Sequence, residues 1–400
     1  MLNFKDFIIE EADAEQGKKL KHLTHLEDMP IHSGHQGVAD AADILDDTHK
    51  ILTGKKAKTQ LSTKYDGAPS LVFGHHPKTG QFFVASKSAF NKDPKINYTD
   101  EDIERNHGHA PGLVEKLKAA LKHLPKVAPK EGVYQGDVMH TKGDVESHGG
   151  KVHFTPNTLT YSADAESPHG KMAKASKIGL VVHTKYKGKN LEDMSATPDV
   201  DRENFKHHPD VHNIDPRTKI SPENYTPEMQ RKFRGHMEEA KRIYSRMKPE
   251  SLDALKGHEI DLEAHVNDMI RKGGHPSAEG YMNHLTNKMN REVEKVKTPA
   301  AKQKKMQAFG EKIDHVGQNK KHFEDVLQLH HHLQGAKNEL VDALDKNSEF
   351  EHHVGGEKTG AEGFVANRGN SMAKLVKRHE FSRMNLLGMG KMSKKTEKPE

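Results

Sequence analysis

The sequence predicts an α+β fold in which a mixed, largely antiparallel β-sheet core is interrupted by a large helical insertion. Three observations predict it. Short segments rich in β-branched and aromatic residues recur between residues 61 and 186. Helical periodicity then dominates residues 221–354. Strand character returns at "GFVANRGNSMAKLVKRHEF", residues 363–381. A sheet whose last strands follow a long helical excursion is one core carrying an insertion. Residues 61–220 and 355–385 are therefore read as that core, 221–354 as the insertion and 386–400 as a flexible, charged tail.

The elements follow in order. Residues 1–60 are predicted to be helical and to pack on the core, because "VADAADILDDTHKIL" puts Val38, Ala41, Ile44, Leu45, His49 and Leu52 along one face. Residues 61–90 are predicted to form a β-hairpin, "LSTKYDGAPSLVFG" and "QFFVASKSAF" flanking the turn formers of "HHPKTG". "GLVEKLKAALKHL", residues 112–124, is a short amphipathic helix. "GVYQGDVM" (132–139), "TPNTLTYS" (155–162) and "KIGLVVHTKY" (177–186) are strands. The insertion opens with Thr226 as N-cap and Pro227 in the first turn. Met282, Leu285, Met289 and Val293 recur at helical spacing. Val326, Leu329, Leu333, Leu340 and Leu344 do so too, close to a heptad seam. "NRGN" marks the turn of the last hairpin.

Composition sets bounds on function. The 400 residues are 33% hydrophobic and 30% charged, with a formal net charge of +5. Mean hydropathy is −0.90 and the pI is near 8.9. A weakly basic chain is compatible with a phosphate-bearing partner without demanding one. The absence of cysteine excludes disulfides, thiolate metal sites and a cysteine nucleophile. The opening "MLNFKDFIIEEADAEQ" turns acidic too early for a signal peptide, and no run is apolar for the roughly 18 residues a membrane span needs. The expectation is a cytoplasmic protein, in the host cytoplasm if viral.

The chemistry centres on "KYDG", residues 64–67. In a strand, residues i and i+2 face the same way, so Lys64 and Asp66 share a face, and Gly67 lets the chain turn at once. A lysine near a carboxylate at a strand end is a candidate nucleophile. It attacks only when neutral, so its pKa must fall from about 10.4, which burial and nearby cations both favour. Lys374 is the leading candidate for such a cation, with Lys377 and Lys87 behind it.

"KYDG" resembles motif I, Lys-x-Asp-Gly, of the covalent nucleotidyltransferases, the superfamily of ATP-dependent DNA and RNA ligases and mRNA capping enzymes. Further segments follow in the family's order. "YQGDVM" resembles motif III with Asp137 at its acid, and "GLVVHTKY" lies where motif IIIa would. "EGFV" resembles motif IV with Glu362 at its acid, and "AKLVK" resembles motif V with Lys374 leading. These segments cover roughly half of the chain. The layout, with "FTPNTLTY" between motifs III and IIIa, also resembles ligase-like proteins of tailed bacteriophages.

The resemblance implies a nucleotidyltransferase core using ATP and Mg²⁺. Lys64 would attack the α-phosphate and carry AMP, which then passes to a nucleic-acid 5′-phosphate before a 3′-hydroxyl seals the strand. By the same resemblance Glu362, with Asp137, would hold the metal, and Lys374 would meet the α-phosphate. Asp66 would orient Lys64 or the metal's water. Ser62, Thr63, Gly67, Lys87, Asp137, His183 and Lys377 would line the nucleotide. The insertion would bind nucleic acid or a protein partner.

Several features depart from the family pattern. Ala68-Pro69-Ser70 stands where many DNA ligases carry an arginine. His183 or Tyr186 must supply the base-stacking ring. Lys374 and Lys377 are three apart, and on a strand such positions face opposite ways. Only 23 residues follow Lys377 (400 − 377), too few for the OB-fold of typical DNA ligases, which favours RNA-ligase-like members. A capping-type or other nucleotidyltransferase, and a non-catalytic nucleic-acid-binding or assembly module, stay open beside the ligase. His330, His331 and His332 cannot converge on one ion, because neighbours on a helix point about 100° apart. "KVKTPAAKQKK", residues 295–305, reads either as a solvated face or as a phosphate-tracking patch.

Overall fold

Alternation of apolar and polar residues in the strands, and apolar stripes in the helices, produce an α+β protein with three largely antiparallel sheets among the described residues. The structure is a computed structural model and describes residues 23–380. None of the described helices is long and apolar enough to cross a membrane. The chain divides into two units.

The first unit contains Thr63–Arg217 and Glu349–Glu362. Its larger sheet runs Ser195–Thr197, Ile178–Lys187, Val133–Thr141, Ser70–His75, Phe82–Ala85, all antiparallel. Val211–Ile214 adds in parallel beside Ile178–Lys187. One face of this sheet is apolar: Leu71, Phe73, Tyr134, Val138, Leu180 and Val182 pack with Val114, Leu117 and Ala120 of the helix Pro111–His123. Side chains alternate across a strand, so the opposite face carries Ser70, Val72, Gln135 and Asp137. The second sheet of this unit runs Glu357–Thr359, Glu351–Val354, Thr160–Asp164, Lys151–Phe154, Glu146–His148. Tyr65, Phe154, Tyr161 and Phe350 form an aromatic cluster there, with ring centroids 5.6–6.1 Å apart.

Two strand predictions need correction. The hairpin around "HHPKTG" begins at Ser70, not at residue 61, because Gln60–Lys64 pairs in a different sheet. Pro69, which has no amide proton, and Gly67 separate the two strands. The strand expected at 155–162 starts only at Thr160. The amides of Thr158 and Leu159 are spent on the Asp66 carboxylate instead of a ladder.

The second unit contains Leu23–Ser62, Thr218–Ser348 and the chain from Gly363 onward. Its sheet has the order Thr24–His25, Ser371–Leu375, Gly363–Arg368, Gln60–Lys64, the last strand belonging to this unit through Ser62. The hairpin turn falls at "NRGN" as expected. The helix Met29–Leu52 buries Val38, Ala41, Ile44, Leu45 and Leu52, and Gly34, at φ +54°, breaks its first turns. Thr226 caps Pro227–Arg246 by accepting from the Met229 amide. The expected seam of Lys320–Asp345 is wholly buried at Val326, Leu329, Leu333, Leu340 and Leu344. The tail beyond residue 380 lies outside the described residues.

This division differs from the layout expected from sequence. Of residues 355–385, expected to rejoin the 61–220 core, 355–362 do so, whereas the hairpin from Gly363 joins the N-terminal helix and the helical excursion in one unit. The physical reason is a buried charge cluster. Lys337 Nζ meets Glu27 Oε1 at 2.8 Å and donates to the Val376 carbonyl. Arg378 Nη1 lies 2.9 Å from Asp28 Oδ1, and His330 Nε2 lies 2.8 Å from the same oxygen. Burial alone would raise the Glu27 pKa, but Lys337 and Arg378 outweigh it and hold the carboxyl at about 2.

Breaking one partner of a buried pair leaves an uncompensated charge. Lys337→Met should therefore lower the unfolding free energy of this unit by about 3–5 kcal/mol at neutral pH, measured by urea titration. Because the Glu27 pKa is depressed on folding, its contribution is complete above an unfolded value near 4.5 and is lost as pH falls through about 2. The gap between wild type and variant should close over that window.

Candidate active site

Each residue of "KYDG" has a separate local task. Thr63 is held by its amide donating to the Pro216 carbonyl at 2.7 Å. Lys64 ends its strand, and its Nζ is ion-paired with Glu362 Oε1 across 298 residues of sequence. Tyr65 is buried in the aromatic cluster and so fixes the backbone between Lys64 and Asp66. The Asp66 amide donates to the Tyr161 hydroxyl at 2.6 Å. Gly67 has no room for a side chain: a Cβ there would lie 2.6 Å from Cβ of Asp137. The motif glycine thus lets this turn lie directly on the strand that presents Asp137.

The electrostatics follow from burial. The Lys64 side chain is 31% exposed and that of Glu362 10%. Burial raises the Glu362 pKa, against the pull of Lys64 and with the help of Asp66 and Asp137. Its Oε2 is buried with no hydrogen-bond partner. Burial would also raise Asp137, but His183, the Ser70 hydroxyl and Lys64 together bring it below the usual carboxylate range. His183 Nε2 stands 3.4 Å from Asp137 Oδ1. His183 is the extra residue of a β-bulge, since Thr184 opposes Gln135 and Val182 opposes Gly136. That bulge turns its ring to the polar face.

Lys64, Gly67, Asp137, His183 and Glu362 therefore converge within the first unit. Three further residues occupy the same face: Gln135 Nε2 donates to Ser70 Oγ at 2.9 Å, and the Tyr186 hydroxyl donates to Gln135 Oε1. Tyr186 lies against Phe90, with ring centroids 4.4 Å apart. Gln135 was missed in the sequence, although its position two before Asp137 on a strand places it on the same side. Lys87 begins a short 3₁₀ turn and is exposed.

Four other expected residues have these surroundings. Asp66 does not face Lys64 as an orienting group. Its carboxylate accepts from Asn157 Nδ2 at 2.9 Å and from the Thr158 and Leu159 amides at 2.8 and 3.1 Å. Ser62, Lys374 and Lys377 belong to the second unit. Lys374 is in register with Val365 and His25. Lys377 lies past the strand end and pairs with Asp342 at 2.6 Å and Glu380 at 2.8 Å. Among the described residues no three or more His, Asp or Glu side chains group as a metal site.

Asp66 is thus an anchor for the segment 157–159. Asp66→Ala should cost about 1.5–3 kcal/mol by stranding amides that bonded a charged acceptor, and hydrogen exchange at Thr158 and Leu159 should rise with it.

Comparison with curated proteins gives no match, and comparison with solved structures gives none. A model of a protein family, described as a family of unknown function (DUF6267), matches residues 20–389. The match spans both units and every site residue above, and the chain belongs to this family.

Proposed function

We propose that this protein is an ATP-dependent polynucleotide ligase, RNA-ligase-like in kind, that carries AMP on Lys64. The observation that carries the reading is the convergence of Lys64 with the buried Glu362 carboxylate and with Asp137. Asp137 stands on the sheet face opposite the one packed by a helix. A partly buried amine facing a carboxylate of raised pKa at a strand end suits nucleophilic attack. The order of the motif segments supports a nucleic-acid end as acceptor and a cytoplasmic setting.

The residues also fit a metal-bound triphosphate. Asp137 is held ionised, and Glu362 Oε2 has unclaimed lone pairs. Mg²⁺ bound there with retained waters would screen the triphosphate charge during attack. The proton shed by Lys64 has Glu362 Oε1 as its first acceptor and passes from there to water. The freed nitrogen pair forms a bond to the α-phosphorus, the bond to the bridging oxygen breaks, and pyrophosphate leaves with that electron pair. A 5′-phosphate oxygen then takes the AMP and frees the lysine. A 3′-hydroxyl finally attacks the activated phosphorus and expels AMP. Gln135, Ser70 and the Tyr186–Phe90 pair would line the nucleoside on this face.

Incubation with each labelled nucleoside triphosphate and Mg²⁺ tests this. ATP should leave one covalent nucleotide per chain by intact mass, and Lys64→Ala should leave none. Glu362→Gln should slow adduct formation by at least ~100-fold while the fold persists by circular dichroism. Labelling by GTP alone would move the assignment to a capping-type enzyme. No adduct with any nucleotide would refute covalent catalysis and leave a binding module.

Gly67→Ala should reduce adduct formation by ~10-fold or more, because the added methyl must push Asp137 aside. Comparing its initial rate with that of wild type at saturating ATP checks this.

A further inference from the structure

Histidine is abundant in this chain, at 31 residues, and many of its ring contacts are internal. His140, His212 and His169 form a chain at 3.1 and 2.9 Å that ends on Glu349. His330 is taken by Asp28. The pair His236 and His332, in the second unit, is different. Each is only half-buried, and each comes from a different helix, Pro227–Arg246 and Lys320–Asp345. Their Nδ1 atoms face each other at 3.3 Å.

That separation is informative. It permits a hydrogen bond when one ring carries its proton on Nδ1, and it also matches the spacing of two ligands on one ion. Two nitrogens on a tetrahedral ion with bonds of 2.0–2.1 Å stand about 3.3–3.4 Å apart. The backbone also accommodates the arrangement. His236 lies flat against Gly335, where an added Cβ would come within 2.4 Å of its Cε1 and 2.6 Å of both ring nitrogens. Gly335 follows His332 by three residues, so both features share one face of their helix. The helical argument against convergence of His330, His331 and His332 still holds, but His332 finds its partner on a neighbouring helix.

We propose that His236 and His332 chelate a divalent transition-metal ion of the zinc type through their Nδ1 atoms, with water at the remaining positions. Two neutral imidazoles suit zinc, cobalt, nickel or copper and do not suit magnesium. The bound ion links the two helices. It therefore stabilises the folded unit by mass action, independently of any nucleotide chemistry at Lys64.

The test is thermal unfolding of the full-length, chelator-treated protein with sub-millimolar ZnCl₂, CoCl₂ or MgCl₂. Zinc and cobalt should each raise the midpoint by several degrees, and cobalt should add the visible absorption of a tetrahedral nitrogen site. Magnesium should do neither. His236→Ala and His332→Ala, and the polar variant His332→Gln in case the alanine variants fold poorly, should abolish the cobalt bands and the shift. Absence of any zinc or cobalt effect on the wild-type protein, or an effect that survives in a folded variant of the pair, overturns the proposal.

Discussion

The contact between the Lys64 amine and the Glu362 carboxylate is the constraint on which the site depends. The two residues are 298 positions apart, so the pair forms only after both segments of the first unit have found their places. Glu362 is almost fully enclosed, and enclosing an ion pair commonly costs as much as its attraction returns. Packing therefore gives no reason for this pair, and an apolar pair of similar volume would serve stability as well or better. The unclaimed second oxygen of Glu362 makes the same point: the carboxylate is placed for something other than filling space.

The rest of the first unit can be understood as the scaffold for that contact. One face of the larger sheet is closed by a helix through Leu117, Ala120 and their neighbours, and the other carries a second apolar cluster around Val72, Phe83 and Val133 with polar groups beside it. The pleat then decides which groups appear there: Ser70 on one strand, Gln135 and Asp137 on the next. The four residues from Lys64 to Gly67 divide the labour. Tyr65 anchors the backbone in aromatic packing, Asp66 secures a neighbouring loop, and Gly67 permits close approach to Asp137. Lys64 alone is left to point at a carboxylate. The second unit has its own organising device, the buried Glu27, Asp28, Lys337 and Arg378 cluster.

Much of this was legible in the sequence where local physics dominates. The apolar face from Val38 to Leu52, the Thr226 cap, the seam from Val326 to Leu344 and the turn at "NRGN" all follow from periodicity and cap chemistry. The pairing of Lys64 with Glu362 joins two of the residues singled out in the sequence, and periodicity alone does not bring them together. What failed was long-range. Nothing near Asp66 announces that its acceptors are taken by residues 157–159. Nothing near Lys377 announces Asp342. The placement of the 363–375 hairpin with the helices rests on buried charges whose partners are hundreds of residues away, and burial of charge is the feature a local reading handles worst. His332 likewise gains its neighbour only from the crossing of two helices.

The most direct measurement is peptide mapping of wild-type protein after reaction with ATP and Mg²⁺, to locate the nucleotide on the chain. The account predicts an acid-labile phosphoramidate on the peptide containing "STKYDG" and nowhere else. A nucleotide found on any other lysine, or linked through a hydroxyl oxygen, would contradict it.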